Sequence, residues 1–265
     1  MSDQQSLTPG TIDTNPPSPA IQTVSAGRGL QWLVSGWRLF LGAPAVWLGI
    51  TVALLVATTL ISMVPIFGQF AIAFLMPVAA AGLLAGCRAI EHGKELRFDH
   101  LFAGFRVNTG DLVIIGVLSL LGHAAIGLVV FAVGGGAMLS GIMSGAIFNA
   151  GPGPLLALSE LLFALLLGTL LLLPLAMALW FAPALVMLDR MVPLGALKAS
   201  FIGCLKNTLP FLIYGVVGLI LLRMALLPML LGLLVLIPVM IGSVYASYSD
   251  IYNATANPAS SASPA

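Results

Sequence analysis

Residues Leu155–Leu188 read LLALSELLFALLLGTLLLLPLAMALWFAPALVML, a stretch with one charged side chain, Glu160. A helix crosses the hydrocarbon core of a bilayer with about 20 predominantly apolar residues, and this run is longer than that. The excess leaves room for tilt or a break, and Pro174 and Pro183 are the places where a helix loses a backbone donor.

Five more runs of the same kind surround it: Ala45–Val64, Gln69–Arg88, Asp111–Val133, Leu209–Leu227 and Met229–Ser249. The chain as a whole is 60% hydrophobic and 7% charged, against about 25% charged residues in soluble domains. Its mean hydropathy is +1.10. No soluble fold of this length keeps so much apolar surface from water. The expectation is an all-α polytopic membrane protein with six transmembrane helices. A formal net charge of +1 provides no basic field for nucleic acid, so the expected partners are membrane lipids and a membrane protein.

Charge is informative by position. Arg28 and Arg38 precede the first run; Arg88, Lys94, Arg97 and Arg106 lie between the second and third; Arg190, Lys198 and Lys206 lie between the fourth and fifth. Nine of the ten basic residues therefore fall on one side of the membrane, and the tenth, Arg223, lies within the fifth run. The positive-inside rule makes that side cytoplasmic and places both termini there.

The basic segments are themselves patterned. Leu30, Leu33, Val34 and Trp37 recur at the spacing of one helical face, as do Phe98, Leu101, Phe102 and Phe105, and then Leu194, Leu197 and Phe201 with Lys198. Each segment reads as an amphipathic helix lying in the interface plane; the plainer reading is a cytoplasmic helix packed on its neighbours. Arg38, Lys94, Arg97, Arg106, Lys198 and Lys206 are the candidate contacts to anionic lipid.

The three segments end alike, in Ser35-Gly36-Trp37, Ala103-Gly104-Phe105 and Ala199-Ser200-Phe201. Two apolar runs follow each, and the second carries Leu-x-Pro, at Pro77, Pro174 and Pro238. The aromatic-to-proline distances are 40, 69 and 37 residues, with the glycine-rich insertion Gly134–Gly153 lengthening the middle one. The unit is an interfacial helix and two spans used three times, over residues 27–90, 91–188 and 189–252, so the pairs run parallel about an axis along the membrane normal. The three prolines either line that axis or shape packed pairs; packing is the favoured reading. The insertion is either re-entrant or a surface loop. Residues 1–26 and 253–265 are rich in Ser, Pro, Thr and Ala and read as disordered cytoplasmic tails, the first lacking the basic start and apolar core of a signal peptide.

Chemistry-bearing motifs are missing: there is no G-x-x-x-x-G-K-[ST], G-x-S-x-G, H-E-x-x-H or C-x-x-C. His92 and His100 sit in a loop while His123 is mid-span, which separates them as metal ligands. No cofactor, metal or enzymatic activity is expected. Cys87 and Cys204 read as small packing residues. Gly82 and Gly86 give the second span a face for close helix contact. Trp47, Tyr245, Tyr248 and Tyr252 read as belt aromatics at the interface.

Three intramembrane polar residues stand out. Glu160 and Arg223 both lie toward the extracytoplasmic end, where they either approach one another, sharing a vestibule, or snorkel separately. His123 is a candidate proton relay or, more simply, a hydrogen-bonded structural histidine.

The runs GRGLQWLVSGWRLF, LRFDHLFAGFR, ALKASFIGCLKN and VYASYSDIY resemble a family of bacterial inner-membrane proteins without an assigned activity, over roughly Gly27 to Tyr252. The chain is more distantly similar to the membrane domains attached to some bacterial glycerophosphodiester phosphodiesterases. It has no phosphodiesterase domain, so the resemblance implies a bacterial inner-membrane location and no catalytic residues. The function expected is a non-enzymatic membrane module acting through lipid or protein contacts; the alternative is a small-solute or lipid transporter using Glu160, Arg223 and His123.

Overall fold

Residues 20–252, apart from 66, 144 and 146–152, are described by the computed structural model, and every regular element among them is helical. A short helix, α1 (Arg28–Gly42), leads into α2 (Pro44–Ser62) and α3 (Phe67–Glu91). A 3-10 segment, Phe98–Phe105, then precedes α4 (Thr109–Val130), which passes through a π-turn, Phe131–Gly135, into α5 (Gly136–Met143). After α6 (Gly153–Trp180) and α7 (Ala182–Asp189) come α8 (Pro193–Lys206), α9 (Thr208–Leu226) and α10 (Leu233–Tyr252). Among the described residues, six stretches are long and apolar enough to cross a membrane: Pro44–Ser62, Phe67–Glu91, Thr109–Gly135, Leu158–Asp189, Thr208–Leu226 and Leu233–Tyr252. The fold is all-α with six spans, as the apolar runs require.

Two boundaries differ from the sequence reading, each for a physical reason. Met229 was expected inside the sixth span but stands in the turn before it, where Met229 and Leu230 take φ of +50° and +69°. Gly232 closes this turn, since a Cβ there would stand 2.5 Å from the Ala225 Cα. Every residue of the turn except Pro228 and Gly232 is apolar, so hydropathy does not mark it. The third span, conversely, runs on past Val133. Residues Gly134–Met143, expected within an insertion, continue its helix, and the rest of that insertion, at 144 and 146–152, lies outside the described residues. Gly134 allows α6 to approach, its missing Cβ being replaced by the Cβ of the fully buried Ala164.

The fourth span is bent at Phe181, between α6 and α7. Ser200, on α8, inserts its hydroxyl into the helical ladder there: Oγ donates to the Met177 carbonyl (2.7 Å) and accepts from the Phe181 N–H (2.9 Å). Those two backbone groups would otherwise bond each other, and a side chain wedged between them is one of the recognised causes of a kink. Pro183, two residues on, supplies no N–H of its own. The kink lies beyond Pro174, which stays inside a continuous α6.

The three short connecting elements dock in a cyclic pattern. The 3-10 segment packs on α3, α8 packs on α6 and α7, and α1 packs on α10, the last span. The small residue before each aromatic makes the contact. A Cβ on Gly104 would lie 2.3 Å from the Val78 carbonyl oxygen, and one on Gly36 would lie 2.2 Å from that of Val239. Ser200 occupies the corresponding place against Met177. Val78 and Val239 directly follow Pro77 and Pro238, whereas Met177 is three residues past Pro174. In a bilayer, helices associate through close backbone approach and interhelical hydrogen bonds rather than a hydrophobic force, and these three contacts are of that kind. The pair Gly82 and Gly86 serves the same purpose, but its partner is the connector, not another span: a Cβ on Gly82 would meet the His100 carbonyl oxygen at 2.2 Å.

Packing is concentrated at the end of the bundle where the described residues begin and end, at Ala20 and Tyr252. Trp47 and Ile50 at the start of α2, Leu83 and Cys87 near the end of α3, and Leu112 and Ile115 at the start of α4 are all buried there, as are Phe181–Val186. Toward the other end the spans expose their leucines to the surroundings. Ala20–Ala26, grouped with the tail by composition, is held against this packed end. The Gln22 N–H donates to the Ile251 carbonyl (2.9 Å), and Asn207 accepts from the Val24 N–H and donates to the Gln22 carbonyl. Ile21 and Val24 pack on the core, so two apolar side chains and one buried Asn order a stretch that is otherwise polar. Residues 1–19 and 253–265, the remainder of the expected tails, lie outside the described residues.

Candidate functional site

The end of the bundle with Ala20 and Tyr252 combines a buried polar centre and a basic rim. Its centre is a ladder of tyrosines on α10, at i, i+3 and i+7. Tyr248 donates to Asp189 Oδ2 at the end of α7 (2.7 Å), Tyr245 donates to Glu91 Oε2 at the end of α3, and Tyr252 donates to the Ala199 carbonyl on α8 (2.9 Å). Neighbouring rings lie 5.7 and 6.3 Å apart. One helix face thus ties three others together. Trp47, Tyr245, Tyr248 and Tyr252 are all buried, so none is a lipid-facing belt residue. Their ring area fills the core while each tyrosine hydroxyl finds an acceptor, which is what a buried tyrosine requires. The i, i+3, i+7 spacing is the sequence signal that marks this as one inward face.

A second polar cluster closes the ring of elements. Arg28 on α1 forms a two-pronged ion pair with Asp250 on α10, and the Trp32 indole N–H donates to Asp250 Oδ2 at 2.7 Å. Trp32 is itself buried against Phe211 and Tyr214.

Around this centre runs the basic rim. Arg38, Lys94, Arg97, Arg106, Lys198 and Lys206, the candidate lipid contacts, are all exposed, as are Arg88 and Arg190. Apolar side chains are exposed beside them. On α1 the buried face is Trp32, Leu33, Gly36 and Phe40, while Leu30, Val34, Trp37 and Leu41 face out with Arg38 alongside. Leu33, expected on the outward stripe, belongs to the buried one. The second segment is a 3-10 helix, not the α-helix its spacing suggests. The Arg97 N–H is capped by His100 Nδ1 (3.0 Å), Gly104 is pressed on α3, and Phe98, Phe102 and Phe105 remain exposed. On α8, Leu194 is exposed with Lys198 and Lys206, while Leu197 and Phe201 are half-buried.

A cleft of about 230 Å³ opens beside the 3-10 segment, lined by Asp99, His100, Ala103, Arg106 and Val107. The Arg97 guanidinium pairs with Asp99 at 3.7 Å on the exposed surface there, which leaves Arg106 as the cation of the cleft.

The intramembrane residues are not brought together. Glu160 and Arg223 are each exposed on the outer surface, and the ion pairs among the described residues are those of Arg28 with Asp250 and Arg97 with Asp99. His123 is also exposed, with Nδ1 within 2.7 Å of the Ser119 carbonyl one turn back, the bond of a structural histidine. Cys87 and Cys204 are free thiols, both buried. Burial pushes the Cys204 thiol up to about 12, far from the depressed range of reactive cysteines. Among the described residues no group of three His, Cys, Asp or Glu is placed to hold a metal ion.

A protein of Burkholderia thailandensis described as a probable inner membrane protein is 34% identical to this chain over 197 residues, 72% of each. No protein-family model matches the chain, and no solved structure does.

Proposed function

The chain is a multi-pass inner-membrane protein with six apolar helices among its described residues and belongs to the family of that probable inner membrane protein of Burkholderia, and on that premise we propose that it is a non-enzymatic module that holds anionic lipid at its basic end. One observation carries the reading. The three connecting elements expose apolar side chains and cations side by side at the same end of the bundle. A helix with that composition settles its apolar stripe at the boundary of headgroup and acyl chain and turns its basic side to anionic headgroups. Each Lys or Arg near such a surface contributes about 1 kcal/mol.

The same cations set the orientation we propose, with the basic end and both termini in the cytoplasm. The cyclic docking of the short elements supports reading the fold as three repeated units, each helix pair introduced by an interfacial element. Because the first element docks on the last span, the ring of units is closed by Arg28, Trp32 and Asp250. Glu160, Arg223 and His123 sit exposed on three different helices, which gives a transport path no shared interior to use. Neither the Burkholderia relative nor any family model supports a likeness to phosphodiesterase membrane domains, and no activity is taken from it.

Native mass spectrometry from bilayers containing phosphatidylglycerol tests the proposal. Wild type is expected to retain phosphatidylglycerol, and a variant with Arg38, Lys94, Arg97, Arg106, Lys198 and Lys206 changed to Gln is expected to lose most of it. Equal retention by the two would overturn the reading.

A further inference from the structure

Glu160 and Arg223 carry opposite charges at the end of the bundle away from Ala20 and Tyr252, near the start of the fourth span and the end of the fifth. Neither has an ion-pair partner among the described residues. Both are bracketed by apolar surface along the helix axis. Exposed Leu155 and Leu156 precede Glu160 and exposed Leu162 and Phe163 follow it, while Arg223 lies between exposed Ile220 and Met224 with Leu227 beyond. Glu160 stands seven residues into α6, which is about 10 Å along its axis. Snorkelling is a property of the long Lys and Arg stems, and a glutamate has a much shorter one. Two exposed, unneutralised charges inside an apolar band are costly, and intramembrane charges usually pair or face a protein interior. Among the described residues the chain's own packing does neither for them.

We propose that the partner is a second copy of this chain, with Glu160 of one copy paired to Arg223 of the next in the membrane. Charge complementarity selects the occupant: the α6 surface presents an anion, the α9 surface presents a cation, and each needs what the other offers. The α9 surface also has room for a neighbouring helix. Gly215, about two turns before Arg223 on the same helix, is exposed, and a Cβ there would meet nothing within 4 Å. Small residues on a lipid-facing helix permit close interhelical approach. This contact is independent of the basic end and of the lipid reading.

The test co-expresses two differently tagged copies, one with Glu160→Cys and the other with Arg223→Cys, and treats the membranes with a short, membrane-permeable thiol crosslinker. The buried Cys87 and Cys204 provide no competing target. The mixed pair is expected to crosslink at least fivefold more than either copy expressed with itself; equal yields, or none, would overturn the proposal. A charge exchange gives a second readout by size in nanodiscs. Glu160→Lys is expected to reduce the oligomeric fraction about tenfold, and Glu160→Lys with Arg223→Glu is expected to restore it. Failure of the double exchange to restore assembly, with helix content unchanged, would count against the pairing.

Discussion

Gly36 lies so close to the main chain of Val239 that a methyl group on it would stand 2.2 Å from the Val239 carbonyl oxygen. That contact joins the first helix among the described residues to the last. A backbone oxygen cannot rotate aside as a side chain does, so any larger residue at 36 must push α1 away from α10.

Gly36→Ala is therefore expected to destabilise the protein by about 1–3 kcal/mol, the usual cost of overpacking a close contact. Gly27→Ala, where nothing lies within 4 Å, is the control and should be close to neutral. Thermal unfolding in detergent reads both. A neutral Gly36→Ala would mean that α1 is not docked on α10.

The ion pair of Arg28 and Asp250 fastens the same junction. Its side chains are 30% and 15% exposed, so it is partly screened. Asp250→Asn is expected to cost about 1–2 kcal/mol through the weakened charge-assisted bonds to Arg28 and Trp32. The Arg28→Gln, Asp250→Asn double variant should cost less than the sum of the two single changes. Strict additivity would contradict a direct interaction.

Tyr248→Phe removes one interhelical hydrogen bond, to Asp189, without changing the packed ring. The expected loss is about 0.6–1.7 kcal/mol, the range for such bonds in membrane proteins. Tyr214→Phe, which loses its bond to Ser243, should lose a similar amount. A belt tyrosine facing lipid would show no such loss, so the unfolding midpoint distinguishes the two placements.

Cys204 gives a pH signature. Burial raises its thiol to about 12, whereas an unfolded chain ionises its cysteines near about 8.5. The folded state thus binds this proton more tightly than the unfolded one. The associated stability is fully present below about 8.5 and is lost progressively as pH rises toward the folded value. N-ethylmaleimide at pH 8 should leave Cys204 unmodified in the folded protein and label it after unfolding. Rapid labelling of the folded protein would contradict the burial.

The spans were legible because a bilayer imposes one demand, a long apolar run, and Leu155–Leu188 meets it unmistakably. The same uniformity hid what lies inside them. Hydropathy does not mark the turn at Met229 and Leu230 within the run from Leu226 to Leu233, where Pro228 and Gly232 are the local signals, and nothing near Phe181 announces that Ser200, on another helix, enters its ladder. The small-small-aromatic endings did locate the docking residues Gly36, Gly104 and Ser200, because close backbone approach restricts side-chain size. Aromatic position misled for Trp47 and the α10 tyrosines, since a span end is both where belts form and where this bundle packs most tightly. Glu160 and Arg223 were identifiable as anomalies by composition, but their separation on the surface depends on which helices are neighbours, which no local pattern encodes.

Membrane depth of the three amphipathic elements tests the central claim most directly. Spin labels are placed one at a time at Leu30→Cys, Phe102→Cys and Leu194→Cys, in bilayers containing phosphatidylglycerol, and read by oxygen and water-soluble relaxation agents. The account predicts that all three labels sit about 5–10 Å below the headgroups, at the acyl boundary. Labels fully accessible to the water-soluble agent and shielded from oxygen would contradict it.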